Sequence, residues 1–358
     1  MKSFTFLLPI ILFSCVIISS CKKDSEQNSS TTTDLEKKII TDFADIVAFP
    51  NYQEIETKAM FLNQQAAILN TSTTAANLTI AQNSWRDLRS SWELCEAFIF
   101  GPVEDFNYDP ALDTWPVNKT DLDSLLASNN GLTVADIEQL PSSLKGFHPI
   151  EYLLFGVGGN KMAGDFTSRE KEYLLSLTAS LLSTTTALRS SWDSGSPDDF
   201  KTQFKTAGEG STRYEKRQDA FITLVSAMAG ICDEVANGKM EVPFAAQDST
   251  LEESQFSHNS TADFRNNIKG VEHVYLCKFN SDGTGLNDLV NSKHLALDNK
   301  IKNQLSAAIN SFDAIDDNYG SAIYTQPVQI LNVQNAINAL KTTLETDLMN
   351  FVFINVKN

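Results

Sequence analysis

"AANLTIAQNSWRDLRSSWELCEAFIF", residues 75–100, decides the fold class. Leu78, Ala81, Trp85, Leu88, Trp92 and Cys95 recur at steps alternating between three and four, which lines all of them along one side of an α-helix. The pattern returns in "LEKKIITDFADIVAF" (35–49) through Leu35, Ile39, Phe43, Ile46 and Val47, and again over 168–192, 213–237, 293–318 and 327–355. Only 16 glycines and 10 prolines interrupt 358 residues, few enough for long helices. Strand-like alternation is rare, and no Asn-Gly hairpin turn lies between two such runs. The expected fold is all-α.

Breaks fall at 100–116, 155–166, 193–199, 237–247 and 280–285. The stretch "DSGSPDD" (193–199) lies near the midpoint and divides the mature chain into residues 35–195 and 196–358. Each part carries about four long helical patterns, enough to close a bundle around one core. The expected arrangement is two related four-helix-bundle-like halves packed side by side. "LKGFHPIEYLLF" (144–155) and "IKGVEHVYLCKF" (268–279) share Lys-Gly at the same point and Tyr-Leu offset by one residue, a faint internal repeat that suits a duplicated bundle.

Residues 1–20 read as a lipoprotein signal peptide. Lys2 precedes an apolar run too short and too early for a spanning helix, and small residues lead to Cys21. Cleavage before Cys21 and acylation of its thiol would anchor the chain to a membrane through an N-terminal lipid; the alternative is an ordinary cleaved secretory peptide. Residues 21–34, with "KKDSEQNSSTTTD", contain no apolar residue after the cysteine and read as a flexible tether. The expected location is the bacterial outer membrane, on its periplasmic or cell-surface side. Cys95, Cys232 and Cys277 are far apart and odd in number, so they form neither a disulfide framework nor a CxxC metal site and read as buried helix cysteines. The net charge of −17 excludes nucleic acid as a partner and suits either plain solubility or a cationic ligand.

In "KGFHPIEYLLFG" (145–156), His148 and Glu151 stand three apart in an apolar segment, about 60° apart on a helix. Imidazole and carboxylate are both ligands for zinc or iron, and a buried carboxylate without a cation is costly. Pro149 offers a competing reading: with Pro149 as the first helical residue, His148 is the N-cap and Glu151 closes a capping box. Glu96 lies on the tryptophan face of its helix, where it is either a site residue or the partner of Arg86, Arg89 or another helix. In "SQFSHNSTADFRNNIKGVEHVY" (254–275), Asp263 and Asn267 flank an apolar stripe of Phe264, Ile268, Val271 and Tyr275. His258 and His294 read as surface residues. No serine-hydrolase elbow, Walker loop, GxGxxG turn, HExxH or EF-hand loop is present.

The segments "WRDLRSSWELCEAFIFGPV", "LDTWPVN", "GFHPIEYLLFG" and "SQFSHNSTADFRNNIKGVEHVY", in this order across most of 80–280, resemble the imelysin family, also called insulin-cleaving membrane proteases. Gly146, His148 and Glu151 match its GxHxxE motif; Pro149 stands where a small residue is expected. The resemblance implies an exported all-helical protein of two related bundles, tied to bacterial iron uptake, with the motif by the domain interface. His148 and Glu151 would then hold iron or another divalent metal such as zinc. Glu96 and Asp113 could complete the shell, and Gly146, Arg86, Trp115, Asp263 and Asn267 would support it. The ligand could also be a metal complex such as haem. The alternatives are a metallopeptidase, for which HExxH and a full ligand set are not visible, and a non-catalytic helical scaffold contacting iron-uptake proteins.

Overall fold

The computed structural model describes Met1 and residues 23–357, with side chains described from Thr33 onward. Cys21 and the signal-peptide reading of residues 1–20 lie outside the described residues, apart from Met1. The architecture is all-α, with no strand among the described residues; one isolated bridge joins Lys278 and Asp282. No helix among the described residues is long and apolar enough to cross a membrane.

Among the described residues the helices that frame the site and its surroundings are α1 (Lys23–Asp42), α2 (Phe49–Thr71), α3 (Ala75–Cys95), α4 (Phe147–Phe155), α5 (Ser168–Trp192), α6 (Arg217–Asp233), α7 (Ser260–Leu276), α8 (Leu295–Ser311) and α9 (Pro327–Thr343). A π-helical turn, Phe43–Ala48, joins α1 to α2 without a break. Residues 23–34, expected as a flexible tether, are helical and form the first turns of α1. Extending an established helix needs no new nucleus, so polar residues can precede the apolar stripe that begins at Leu35.

Helix starts follow local chemistry. Thr74 caps α3 by accepting from the Asn77 amide (3.2 Å). Thr167 and Glu170 form a reciprocal capping box at α5, and Pro327 opens α9 where no amide donor is needed. The stripe on α3 is buried throughout, from Leu78 to Cys95. It packs against α2, which also packs on α5, and α4 lies against both α3 and α5. Further along the chain, α9 packs on α6 and α8, and α7 packs on α6 and α8. Across these groups α1 packs against α6, and α3 against α7. There Gly270 lets α7 approach closely, because a Cβ would overlap the Leu94 carbonyl oxygen.

The two glycines of the expected repeat serve different ends. Gly146 sits at the N-cap of α4 with φ +82°, whereas Gly270 is inside α7. Cys95, Cys232 and Cys277 are free and buried; Cys95 and Cys232 are helical, whereas Cys277 is the left-handed residue just past the end of α7.

Candidate metal centre

A second stripe runs one residue behind the apolar one on α3. Arg89, Glu93 and Glu96 follow Leu88, Trp92 and Cys95, so they share a neighbouring face. That face meets α7, and all three side chains are buried. Burying such groups is favourable only if partners converge on them, and several do.

Arg89 is fully buried. Its guanidinium pairs with Asp113, lies 2.5 Å from Glu93 Oε1 and 2.8 Å from Glu253 Oε1, and comes within 4.0 Å of Asp263. Asp113 arrives from the end of a short helix, Tyr108–Leu112, and also accepts from Trp92 Nε1 (2.7 Å). Lys239 ends a π-helical turn, Glu234–Lys239, that continues α6. Its ammonium donates to Glu96 Oε2 (2.6 Å) and lies 2.8 Å from Glu253 Oε1 and 3.7 Å from Glu93. Asn267 Nδ2 on α7 donates to Glu93 Oε2 (2.6 Å) and Glu96 Oε2 (2.5 Å). Asp263 accepts from Ser254 Oγ (2.6 Å) and Asn259 Nδ2 (2.6 Å).

His148 bridges two acids. Its Nε2 is 3.0 Å from Asp113 Oδ1 and its Nδ1 is 3.1 Å from Glu151 Oε2. Helix α4 begins at Phe147, so Pro149 is its third residue and His148 is not the N-cap. The capping-box reading therefore fails. Glu151 Oε1 accepts instead from a distant loop: the Phe256 amide (3.1 Å), the Ser257 amide (2.8 Å) and the Ser257 hydroxyl (2.7 Å). With both oxygens engaged, Glu151 orients the imidazole through Nδ1 and leaves Nε2 facing Asp113. Gly146 allows this start of α4, since any Cβ there would overlap the Leu112 carbonyl oxygen next to Asp113.

The charge balance of this cluster is unusual. Glu93, Glu96, Asp113, Glu151, Glu253 and Asp263 are six buried carboxyl groups. Their ion-pair partners are Arg89, Lys239 and one imidazole, so full ionisation leaves an excess of three negative charges within this set even with His148 protonated; the Arg86 charge acts on Glu151 and Asp263 from outside it. Burial raises the Glu93 carboxyl, and burial together with the neighbouring Glu93 raises Glu96 and Asp263 well above the usual carboxylate range. Asp113 goes the other way: burial opposes its ionisation, but Arg89 and His148 outweigh it and hold it well below that range. Burial likewise opposes a charged His148, yet its bonds to Asp113 and Glu151 raise it to about 9.

These directions fix how metal-free stability depends on pH. His148 is raised above its ordinary 6.5, so its contribution is complete below that value and is lost as pH rises towards about 9. The raised acids Glu93, Glu96 and Asp263 cost stability as pH rises above their ordinary carboxylate range, because the fold disfavours their ionised forms. Asp113 stabilises at neutral pH and loses its contribution only in strong acid. The denaturation midpoint of the chelator-treated chain is therefore expected to fall between pH 6 and pH 9.5. A flat or rising profile by urea titration would contradict the assignment.

Two overlapping sets of donors can hold a cation. Atoms of Asp113, His148 and Glu253 lie within 4.8 Å of one another, and so do carboxylate oxygens of Glu93, Glu96, Asp113 and Glu253. Glu253 Oε2 is buried and has no hydrogen-bond partner among the described residues. An oxygen left bare in a carboxylate-rich, net-negative site fits a hard or borderline divalent ion.

Comparison with known proteins agrees with the motif. Residues 48–346 match the sequence pattern of the imelysin family, a peptidase family by designation. The chain belongs to the imelysin family. It is 30% identical over 319 residues to iron-regulated protein A of Synechococcus elongatus, covering 87% of this chain and 86% of that one. It superposes with a TM-score of 0.81, at 25% identity, on a solved structure from Parabacteroides distasonis described as an iron-regulated protein A precursor, covering 89% of this chain and 95% of the other. An imelysin-like protein from Psychrobacter arcticum shares the fold at 12% identity, with a TM-score of 0.74 over 89% and 96% of the two chains.

In this imelysin, the residues expected at the site fall into three groups. His148, Asp113 and Glu96 all lie in the cluster and contribute donor atoms; Glu151 stands behind His148. Asp263 and Asn267 reach it from α7. Arg86 and Trp115 stay outside: Arg86 donates to the Ser257 carbonyl (3.2 Å) and lies over Phe155, and Trp115 is only half-buried. The ion-pair partner of Glu96 is Lys239, from the helical turn that continues α6, so of the partners considered it is the one from another helix, not Arg86 or Arg89. His258 and His294 are exposed as expected; His294 also caps α8 through Nδ1. Arg89, Glu93, Lys239 and Glu253 were not anticipated as site residues.

Proposed function

We propose that this imelysin binds one divalent cation, iron foremost, through Asp113, His148 and Glu253, and serves bacterial iron acquisition. The observation that carries this reading is the bare Oε2 of Glu253 inside a cluster with more acids than cations. A bound divalent ion would take up charge that protons must otherwise neutralise and would act as cargo or as a Lewis acid. Glu151 would keep Nε2 available by holding Nδ1. The name of the Synechococcus relative, iron-regulated protein A, supports iron over zinc.

We further propose the setting that the sequence suggests: export, acylation of Cys21, and an outer-membrane location on the periplasmic or surface side. Two related four-helix-bundle-like halves, 35–195 and 196–358, would meet at α3 and α7. Binding fits the geometry better than peptide hydrolysis or haem capture. Asp113, His148 and Glu253 are all at least nine-tenths buried, which favours a small ion at the donors over an extended polypeptide or a porphyrin. The buried ion pairs also favour a second reading, a scaffold in which the cluster only holds helices together. Anaerobic equilibrium dialysis of the chelator-treated mature chain against Fe²⁺ separates them. One ion per chain is expected; none at millimolar Fe²⁺ would leave the scaffold reading.

A further inference from the structure

The set Glu93, Glu96, Asp113 and Glu253 already has an occupant. Lys239 Nζ lies within 3.7 Å of three of these acids, held between Glu96 and Glu253. Lysine at 1% exposure is rare unless several acids share it. The turn that delivers it is π-helical, closed by the Met240 amide donating to the Val235 carbonyl five residues back (2.9 Å). Such turns are uncommon inside α-helices and concentrate at functional sites. Glu96 also lines an open cavity of about 500 Å³ together with Glu104, Asp109 and Glu234, which sets an acidic opening beside this edge of the cluster.

We propose that Lys239 is a tethered cation filling a second, all-carboxylate metal subsite, and that removing its charge opens that subsite to a hard divalent ion. The subsite shares Asp113 and Glu253 with the first and adds Glu93 and Glu96. Its mark of a missing ligand, shared with the first set, is Glu253 Oε2, fully shielded from water and without a hydrogen-bond partner among the described residues. An ammonium supplies one positive charge and three directional donors; it cannot serve the remaining oxygens as a metal ion would. The inference rests on reading the cluster as a cation site, yet it concerns a different set of donors.

Equilibrium dialysis against Mn²⁺ alone, counting bound ions by electron paramagnetic resonance, tests it on the mature chain. Wild type and Lys239→Arg are expected to bind one Mn²⁺, and Lys239→Met and Lys239→Gln two. Equal counts in wild type and both neutral variants would overturn the proposal. No ion in wild type but one in the neutral variants would sink the Asp113–His148–Glu253 reading and leave this one standing. Should both neutral variants be unfolded without metal, recovery of the helical circular dichroism on adding Mn²⁺ supports the subsite; failure to recover at saturating Mn²⁺ overturns it.

Discussion

Arg89→Met is expected to destabilise the chain by about 3–5 kcal/mol, enough to threaten folding altogether. Methionine keeps most of the buried stem, so the change removes the charge rather than the packing. What it leaves behind is Glu93, Asp113 and Glu253 without their shared cation, all inside the fold. Removing one partner of a buried network strands the others, which costs far more than the pair contributes over an apolar substitute. Arg89 also links three separate segments: α3 itself, the Asp113 loop and the Glu253 loop. Lys300→Met, which breaks an exposed pair with Asp347, is the control and should shift stability by less than about 1 kcal/mol. Urea titration decides between them. A cost for Arg89→Met no greater than that of the control would mean the cluster is not an ion-pair network in solution.

Asp113→Asn is expected to weaken Fe²⁺ binding by at least about 100-fold, beyond what changing a supporting partner of a ligand typically does. Asp113 belongs to both donor sets and bonds Trp92 as well as Arg89 and His148. An amide retains the size but loses the charge, and its NH₂ group cannot ligate. The effect is also visible in stability. At free Fe²⁺ a hundred times the dissociation constant, binding stabilises the wild-type fold by about 2.7 kcal/mol, and the variant should gain almost nothing at the same concentration. Equal metal-dependent stabilisation in both chains would move the ion away from Asp113.

Much of this was legible in the residues, for identifiable reasons. The alternating spacing of Leu78, Ala81, Trp85, Leu88, Trp92 and Cys95 forces one apolar face, so the helix and its burial follow directly. His148, Glu151, Asp263 and Asn267 were found because a polar residue beside an apolar stripe must meet a partner. Arg89 and Glu93 carried the same signal, trailing the apolar stripe by one position, but a four-residue Arg–Glu spacing on a helix reads equally well as an exposed pair. Lys239 was hidden for a different reason. "NGKMEVP" resembles a helix end, where a lysine ordinarily faces water, and nothing local announces a π turn that carries it inward. Glu253 lies in a stretch without helical periodicity, so only tertiary packing reveals its burial.

Pro149 illustrates the limit in the other direction. Proline is tolerated throughout the first helical turn, so sequence could place it at the first position and make His148 a cap. The positive φ of Gly146 starts α4 earlier, and this offset turns His148 from a cap into a residue facing Asp113.

The most direct test of a cation among these acids is anomalous diffraction from crystals of the mature chain equilibrated with Fe²⁺ under anaerobic conditions, with data on both sides of the iron edge. The expected result is an iron peak within coordinating distance of Asp113, His148 and Glu253. Peaks confined to surface carboxylates, with Arg89 and Lys239 alone neutralising the buried acids at saturating iron, would contradict it.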